Sequence, residues 1–200
     1  MDLKEKNRLE KTMTLKVAVD VDGVLADQVS LVLKRLNLRY GLTLRKDDIT
    51  EWDYKIMDTN IKIEIEKALL ERDYVLSLPV IQGSKEGMEY LFKNCHVTVA
   101  TARPKKTEDA TREWVSSRFK YHDFCNTTGK SKDCVNSDIL IDDYIPNIKE
   151  FSKGKGIGLL FSQPWNQDRK ELENLIRRNK VFCCDNWKDV IATVKISSNA

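Results

Sequence analysis

Five short apolar runs, set between stretches of helical periodicity, constrain this chain more than any other feature. The runs are KVAVDV (16–21), HVTVAT (96–101), DILIDD (138–143), GIGLLF (156–161) and KVFCC (180–184). Around them lie SKEGMEYLFKN (84–94), TEDATREWVSSRF (107–119), IPNIKEFSK (145–153), QDRKELENLIRRN (167–179) and NWKDVIATV (186–194). Strands and helices alternating at this length predict βαβ units and a parallel sheet, an α/β fold of the Rossmann-like kind. The runs are almost continuously β-branched and aliphatic, which suits strands covered on both faces. Ser84 and Thr107 are the expected helix N-caps, and Asp27 caps the helix that follows the first strand.

Residues 27–80 break the rhythm. QVSLVLKRLNLRYG (28–41) has apolar residues at 29, 32, 33 and 36 with Gly41 as a stop, so it reads as a helix. DDITEWDYKIMDTN (47–60) is irregular and aromatic, and IKIEIEKALLERDY (61–74) is helical again, with no strand candidate in the interval. So long an insertion after one strand predicts a small helical cap over 27–80. The core would then be 15–26 and 81–200, preceded by a charged tail over 1–14.

With 41% hydrophobic and 32% charged residues the composition is globular. Thirty-four Lys plus Arg against 31 Asp plus Glu give a net charge of +3, too little to call for a nucleic-acid partner. No apolar run is long enough for a membrane span. An odd count of five cysteines, without a secretory leader, points to reduced thiols and a cytoplasmic setting. Cys95 and Cys125 read as small buried hydrophobes, and no cysteine spacing suggests structural zinc. His96 and His122 lack partners at metal-ligand spacing and read as structural or surface residues.

In open parallel sheets, ligands gather outside the carboxyl ends of the strands. Asp20 and Asp22 follow the first strand, Thr101 ends the second, and Asp142 and Asp143 end the third. Four carboxylates on one rim repel one another unless a cation sits among them. Oxygen-only ligation suits Mg²⁺, which in turn attracts a phosphate. Lys130 or Lys132 could neutralise phosphate oxygens, Thr101 offers a hydroxyl, and the next helix offers backbone N–H groups.

DVDGVLAD, VATARP, the lysine of GKSKD and ILIDD stand in the order of the four motifs of the haloacid dehalogenase superfamily. The insertion after DVDG matches the position of the cap in that superfamily's first subclass. Within it, DVDGVLAD, DITEWD and DILIDD most resemble the 5'(3')-deoxyribonucleotidase group. The resemblance implies Asp20 as nucleophile and Asp22 as general acid and base, its backbone carbonyl also facing Mg²⁺. It implies Lys132, eleven residues before Asp143, as the charge-balancing lysine, Thr101 as a phosphoryl ligand, and Asp143 or Asp142 as the further metal ligand. Asp143 is favoured by the same alignment. Ala102 and Arg103 follow Thr101 where the related enzymes commonly carry a serine next, so Arg103 could take over an oxyanion contact. Lys105 stands where that group places a second phosphate-contacting lysine. Trp52 and Tyr54 could stack on a nucleobase or simply form the core of the cap.

The function so implied is Mg²⁺-dependent hydrolysis of nucleoside 5'-monophosphates, deoxy forms included, through an aspartyl-phosphate. A phosphatase for another small phosphate, such as a sugar phosphate, and a silent phosphate-binding protein on the same fold are the alternatives. The substrate is a small-molecule phosphate ester; a membrane or stable nucleic-acid partner is not expected, and a homodimer is allowed by the resemblance without being required by any residue. WNQD (165–168), near another strand end, could border the pocket and carries no assigned role.

Overall fold

A computed structural model describes residues 14–154 and 156–198. The expected charged tail lies outside them, apart from Thr14. Six strands form one parallel sheet: β1 (Lys16–Val19), β4 (His96–Thr101), β5 (Asp123–Asn126), β6 (Ile139–Asp142), β7 (Ile157–Phe161) and β8 (Val181–Cys184). Their spatial order is β5-β4-β1-β6-β7-β8. The chain thus works outward from β1 to one edge, returns, and works outward to the other. That reversal beside β1 opens a crevice at the carboxyl ends of the central strands.

Alternation along the strands fills two cores. Val17, Val19, Val97, Val99, Ile139, Ile141 and Leu159 face one side, while Ala18, Ala100, Leu140 and Leu160 face the other. The first core holds residues of α1 (Gln28–Tyr40), α4 (Ser84–Asn94), α5 (Glu108–Ser116) and α8 (Trp187–Ser198), and the second those of α6 (Ile145–Lys153). Trp114 and Trp187 anchor the first core, each donating its indole N–H to a backbone carbonyl, of Leu78 and Val24 respectively. Among the described residues no helix is long and apolar enough to cross a membrane.

Between β1 and α4 the chain forms α1, a two-stranded hairpin of β2 (Lys55–Ile56) and β3 (Thr59–Asn60), α2 (Ile61–Ala68) and α3 (Arg72–Ser77). The hairpin corrects the expectation that this interval is free of strands. Met57, with φ 54°, makes its turn in the left-handed region, and two residues per strand leave no alternation to read. The single helix expected over 61–74 divides, because Leu70 N–H turns back to Lys67 O and Glu71 N–H to Ala68 O in tighter loops than an α-helix makes. The stretch 167–179 shortens to a 3-10 turn and α7 (Glu173–Arg177). β5 adds a sixth strand to the five the sequence predicts; DFCN is a polar-ended edge strand of four residues.

Asp27 caps α1, its carboxylate accepting from Ser30 N–H at 3.1 Å. Ser84 is instead the first helical residue after Gly83, and Thr107 turns its hydroxyl to Pro104 O at 2.8 Å, so neither side chain caps its helix. Cys95 is buried as expected, whereas Cys125 is only partly covered on the edge strand. His96 pairs with Asp123 at 2.7 Å and stacks on His122 at 4.8 Å, remote from the sheet's carboxyl rim.

Candidate active site

Asp20 continues the sheet one residue beyond β1, its N–H bonding Ile141 O at 2.9 Å. Gly23, at φ +73°, then lets the loop turn back against β6. A β-carbon at this position would lie 2.0 Å from Asp143 Oδ2, so only glycine permits so close an approach. Two side chains from the segment after β7 brace the same corner. Gln163 Nε2 donates to Gly23 O at 2.6 Å, and Asn166 Nδ2 donates to Asp143 O at 2.7 Å.

Ligand oxygens of Asp20, Asp142 and Asp143 lie within 4.8 Å of one another. These residues are 6%, 0% and 6% exposed. Lys132, 2% exposed, reaches between two of them, with Nζ 2.6 Å from Asp20 Oδ1 and 2.8 Å from Asp142 Oδ2. Burial pushes the Asp20 carboxyl up to about 7; Lys132 opposes the shift, and Asp142 and Asp22 add to it. Burial likewise raises Asp143 well above the carboxylate range, reinforced by Asp142 and Asp20. For Lys132, burial favours the neutral amine, but its two carboxylate partners outweigh that and hold the ammonium more firmly than usual.

Both oxygens of Asp142 are engaged: Oδ1 accepts from Tyr144 N–H, and Oδ2 from Lys132 and from Asn147 Nδ2 at 2.9 Å. Asp143 Oδ2 accepts from Trp165 Nε1 at 2.9 Å, and Asp20 Oδ1 accepts from Val21 N–H at 2.7 Å. Among the described residues no hydrogen bond reaches Asp20 Oδ2 or Asp143 Oδ1. The cluster therefore combines hard oxygen donors, a surplus of negative charge over its lysine, and two open carboxylate positions. That donor set fits a divalent cation.

Asp22 stands outside this triad. Arg103, buried, grips its carboxylate at both oxygens, Nε to Oδ2 at 2.8 Å and Nη2 to Oδ1 at 2.7 Å, while its Nη1 reaches Thr111 at 3.2 Å. Such a fork fixes orientation as well as charge. Thr101 is fully buried and accepts Arg103 N–H at 3.2 Å.

A cavity of about 720 Å³ opens above these groups. Asp20, Asp22, Ala102, Arg103, Lys132 and Asp143 contribute to its floor, and Trp52, Ile63, Ile65, Leu69 and Leu70 to its far wall. Thr101, Asp142, Lys105 and Lys130 are not among its lining residues, whereas Lys106, Asn147, Gln28 and Trp165 are. Trp52 meets Trp165 with ring centroids 5.5 Å apart; all three aromatics pack on the core, but Tyr54 does not line the cavity. WNQD borders the cavity through Trp165, as its place near a strand end suggests, whereas nothing in the sequence singles out Asn147 or Gln28.

A parallel sheet in this order, with carboxylates from two neighbouring strand ends around a buried lysine, defines a haloacid-dehalogenase-type hydrolase. Solved structures of that fold match it. A HAD family hydrolase from Deinococcus radiodurans R1 superposes with a TM-score of 0.60 at 11% identity, over 94% of this chain and 97% of that one. A haloacid dehalogenase-like hydrolase from Streptococcus pneumoniae gives 0.60 at 13% identity, over 92% and 99%.

Sequence narrows the class. The family model described as 5' nucleotidase, deoxy (pyrimidine), cytosolic type C protein matches residues 13–197, and the chain belongs to that family. A 5'(3')-deoxyribonucleotidase of Bacillus subtilis strain 168 is 30% identical over 178 residues, 87% of this chain and 95% of the relative. One of Bacillus phage SPbeta matches to the same extent. The chain is thus a hydrolase of the phosphatase type, and its family implies a small-molecule nucleotide substrate.

Proposed function

We propose that this enzyme hydrolyses nucleoside 5'-monophosphates, deoxy forms included, with Mg²⁺ as cofactor and Asp20 as nucleophile. The observation that carries the reading is the open Oδ2 of Asp20, held at the cavity floor beside Lys132 and a further open carboxylate oxygen on Asp143. Asp20 and Asp143 would hold the metal, together with the backbone carbonyl of Asp22. Asp142 serves by fixing Lys132, since both of its oxygens are already used. The bound cation would offset negative charge on the phosphoryl group and on the cluster.

In the first step Asp20 attacks phosphorus, the P–O bond to the nucleoside breaks, and the leaving oxygen takes a proton from Asp22. In the second, water gives a proton to Asp22 and attacks the same phosphorus. The bond to Asp20 breaks, releasing phosphate and returning Asp20 to its carboxylate and Asp22 to the protonated acid with which it began. Lys132 stays beside Asp20 throughout and balances the charge of the phosphoryl oxygens. For Asp22 to reach the leaving oxygen, one of its Arg103 contacts must be exchanged. Arg103 is accordingly the group that holds the ionised form of Asp22, which the cycle generates once the leaving oxygen has taken its proton. The inserted segment 27–80 acts as the cap that excludes water and meets the nucleoside.

A wall of Trp52, Ile65 and Leu69 suits a flat, partly apolar base better than a bare sugar. The curated relatives' name supports the same substrate class. All five cysteines are free, which supports a reducing, cytoplasmic setting.

The test is phosphate release from nucleotides and sugar phosphates, with and without Mg²⁺, by the enzyme and by Asp20→Asn. Nucleotides should lead the panel, and the substitution should lower turnover by on the order of 10⁴-fold with folding retained. Turnover surviving in Asp20→Asn would overturn the covalent route.

A further inference from the structure

Gln28 lies in the first turn of α1, the helix that opens the inserted segment, and it lines the main cavity while only 1% exposed. The acceptor end of its amide is committed. Gly23 N–H, shared with Ala26 O at 3.0 Å, donates to Gln28 Oε1 at 2.9 Å. Its donor end is not: Nε2 is buried and has no hydrogen-bond partner. Reversing the amide does not cure this, because it would set an N–H₂ group against the Gly23 N–H.

Nor is the residue loosely held. Tyr74 OH donates to Gln28 O at 2.9 Å, and Asp27 caps the same turn while pairing with Lys46 at 3.4 Å. A buried donor without an acceptor burdens the free protein, and a ligand that brings an acceptor relieves it. A pocket so built also rejects analogues that lack the acceptor, since they leave the donor unpaired.

We infer that Gln28 Nε2 is a specificity-determining contact, donating to an acceptor oxygen on the leaving group of the substrate. The phosphoryl group belongs among Asp20, Lys132 and the metal position. Gln28 instead begins the segment that supplies Trp52, Ile65 and Leu69 to the cavity wall. On this inference the acceptor it meets is on the carbon side of the ester, either a sugar oxygen or a base carbonyl. This inference rests on the phosphatase reading and sharpens its substrate.

Two variants separate the two ends of the amide. Gln28→Glu keeps an acceptor for Gly23 N–H and removes the donor; Gln28→Met removes both in similar volume. The measurement is kcat/KM for deoxyuridine 5'-monophosphate and for 2-deoxyribose 5-phosphate, each divided by kcat/KM for phenyl phosphate. The leaving group of phenyl phosphate carries no acceptor beyond the ester oxygen. Both variants should lower the nucleotide ratio by about tenfold to a hundredfold, the range of one buried hydrogen bond. An equal fall in the deoxyribose 5-phosphate ratio assigns the acceptor to the sugar. A fall confined to the nucleotide assigns it to the base.

Unchanged ratios in both variants would overturn the inference. So would equal losses on all three substrates, which would leave Gln28 a brace for the Gly23 loop. Should the enzyme itself cleave deoxyribose 5-phosphate but not the nucleotide, the nucleotide reading falls. The Gln28 contact is then judged on the sugar phosphate ratio alone.

Discussion

On the floor of the cavity Asp20, Lys132 and Asp143, with Asp142 buried beneath them, are almost wholly removed from solvent and touch one another or shared partners. Across the gap, α2 presents Lys62, Ile63, Glu66 and Lys67, all exposed, and among the described residues the only ion pair of that set joins Lys67 to Glu64 on the same helix. Floor residues depend on each other's charge, because removing one leaves the rest uncompensated in a poorly solvated place. These exposed α2 side chains share no buried charge network, so each can change at small cost to its neighbours. Reaction chemistry belongs to the coupled floor, whereas the exposed α2 positions facing it can vary at small cost to the fold.

The largest test of that contrast removes the floor's lysine. Lys132→Met should destabilise the metal-free protein by about 3–5 kcal/mol, as expected when one partner of a buried ion pair is lost. Lys62→Met should stay within about 0.5 kcal/mol. Urea unfolding midpoints measure both. Similar midpoints for the two variants would erase the distinction between floor and wall.

Next in size is a pH dependence special to the floor. Asp20 and Asp143 have folded-state pKa values raised above their unfolded ones, Asp20 to about 7. Between the unfolded carboxylate range and about 7 the native state therefore binds more protons than the unfolded chain. Stability from these two groups is fully present below the unfolded pKa and is lost as pH rises through the folded one. Metal-free protein should accordingly melt at lower temperature at pH 7.5 than at pH 5. Saturating Mg²⁺ should reverse the loss at pH 7.5, because it binds the deprotonated native cluster. Thermal melts in chelator and in Mg²⁺ across this range provide the check. A flat metal-free profile would mean that the floor carboxylates are already compensated without a cation.

Much of the floor was legible in the sequence, and little of the wall. Asp20, Asp142 and Asp143 end runs whose apolar residues announce buried parallel strands, so their convergence follows from sheet order alone. Lys132 was separated from Lys130 by spacing within a resemblance; the structure buries Lys132 and leaves Lys130 exposed. The contacts of Trp165 and Gln163, and the role of Gln28, were illegible for another reason. Gln163 meets Gly23 from 140 residues away and Trp165 meets Asp143 from 22, and neither contact leaves a periodic trace. Gln28 occupies a polar position on a helix that would be predicted whatever residue stood there. The hairpin and β5 escaped because two to four residues with polar ends give too short a pattern.

The smallest test concerns Lys105 and Lys106, adjacent residues of one 3-10 turn, Lys105–Thr107. Successive side chains in such a turn point about 120° apart, so both do not face the same space. Resemblance favours Lys105 as a phosphate contact, but Lys106 lines the cavity and Lys105 does not. Lys106→Ala should raise KM for a nucleotide by roughly twofold to fivefold at low salt with kcat unchanged, the scale of one exposed charge. Lys105→Ala should change KM by less than about 1.5-fold. At about 0.5 M salt the Lys106 effect should shrink toward that of Lys105, since an exposed contact is screened there. A larger, salt-resistant effect at Lys105 would show that the turn rotates when substrate binds, and would move that part of the wall into the coupled floor.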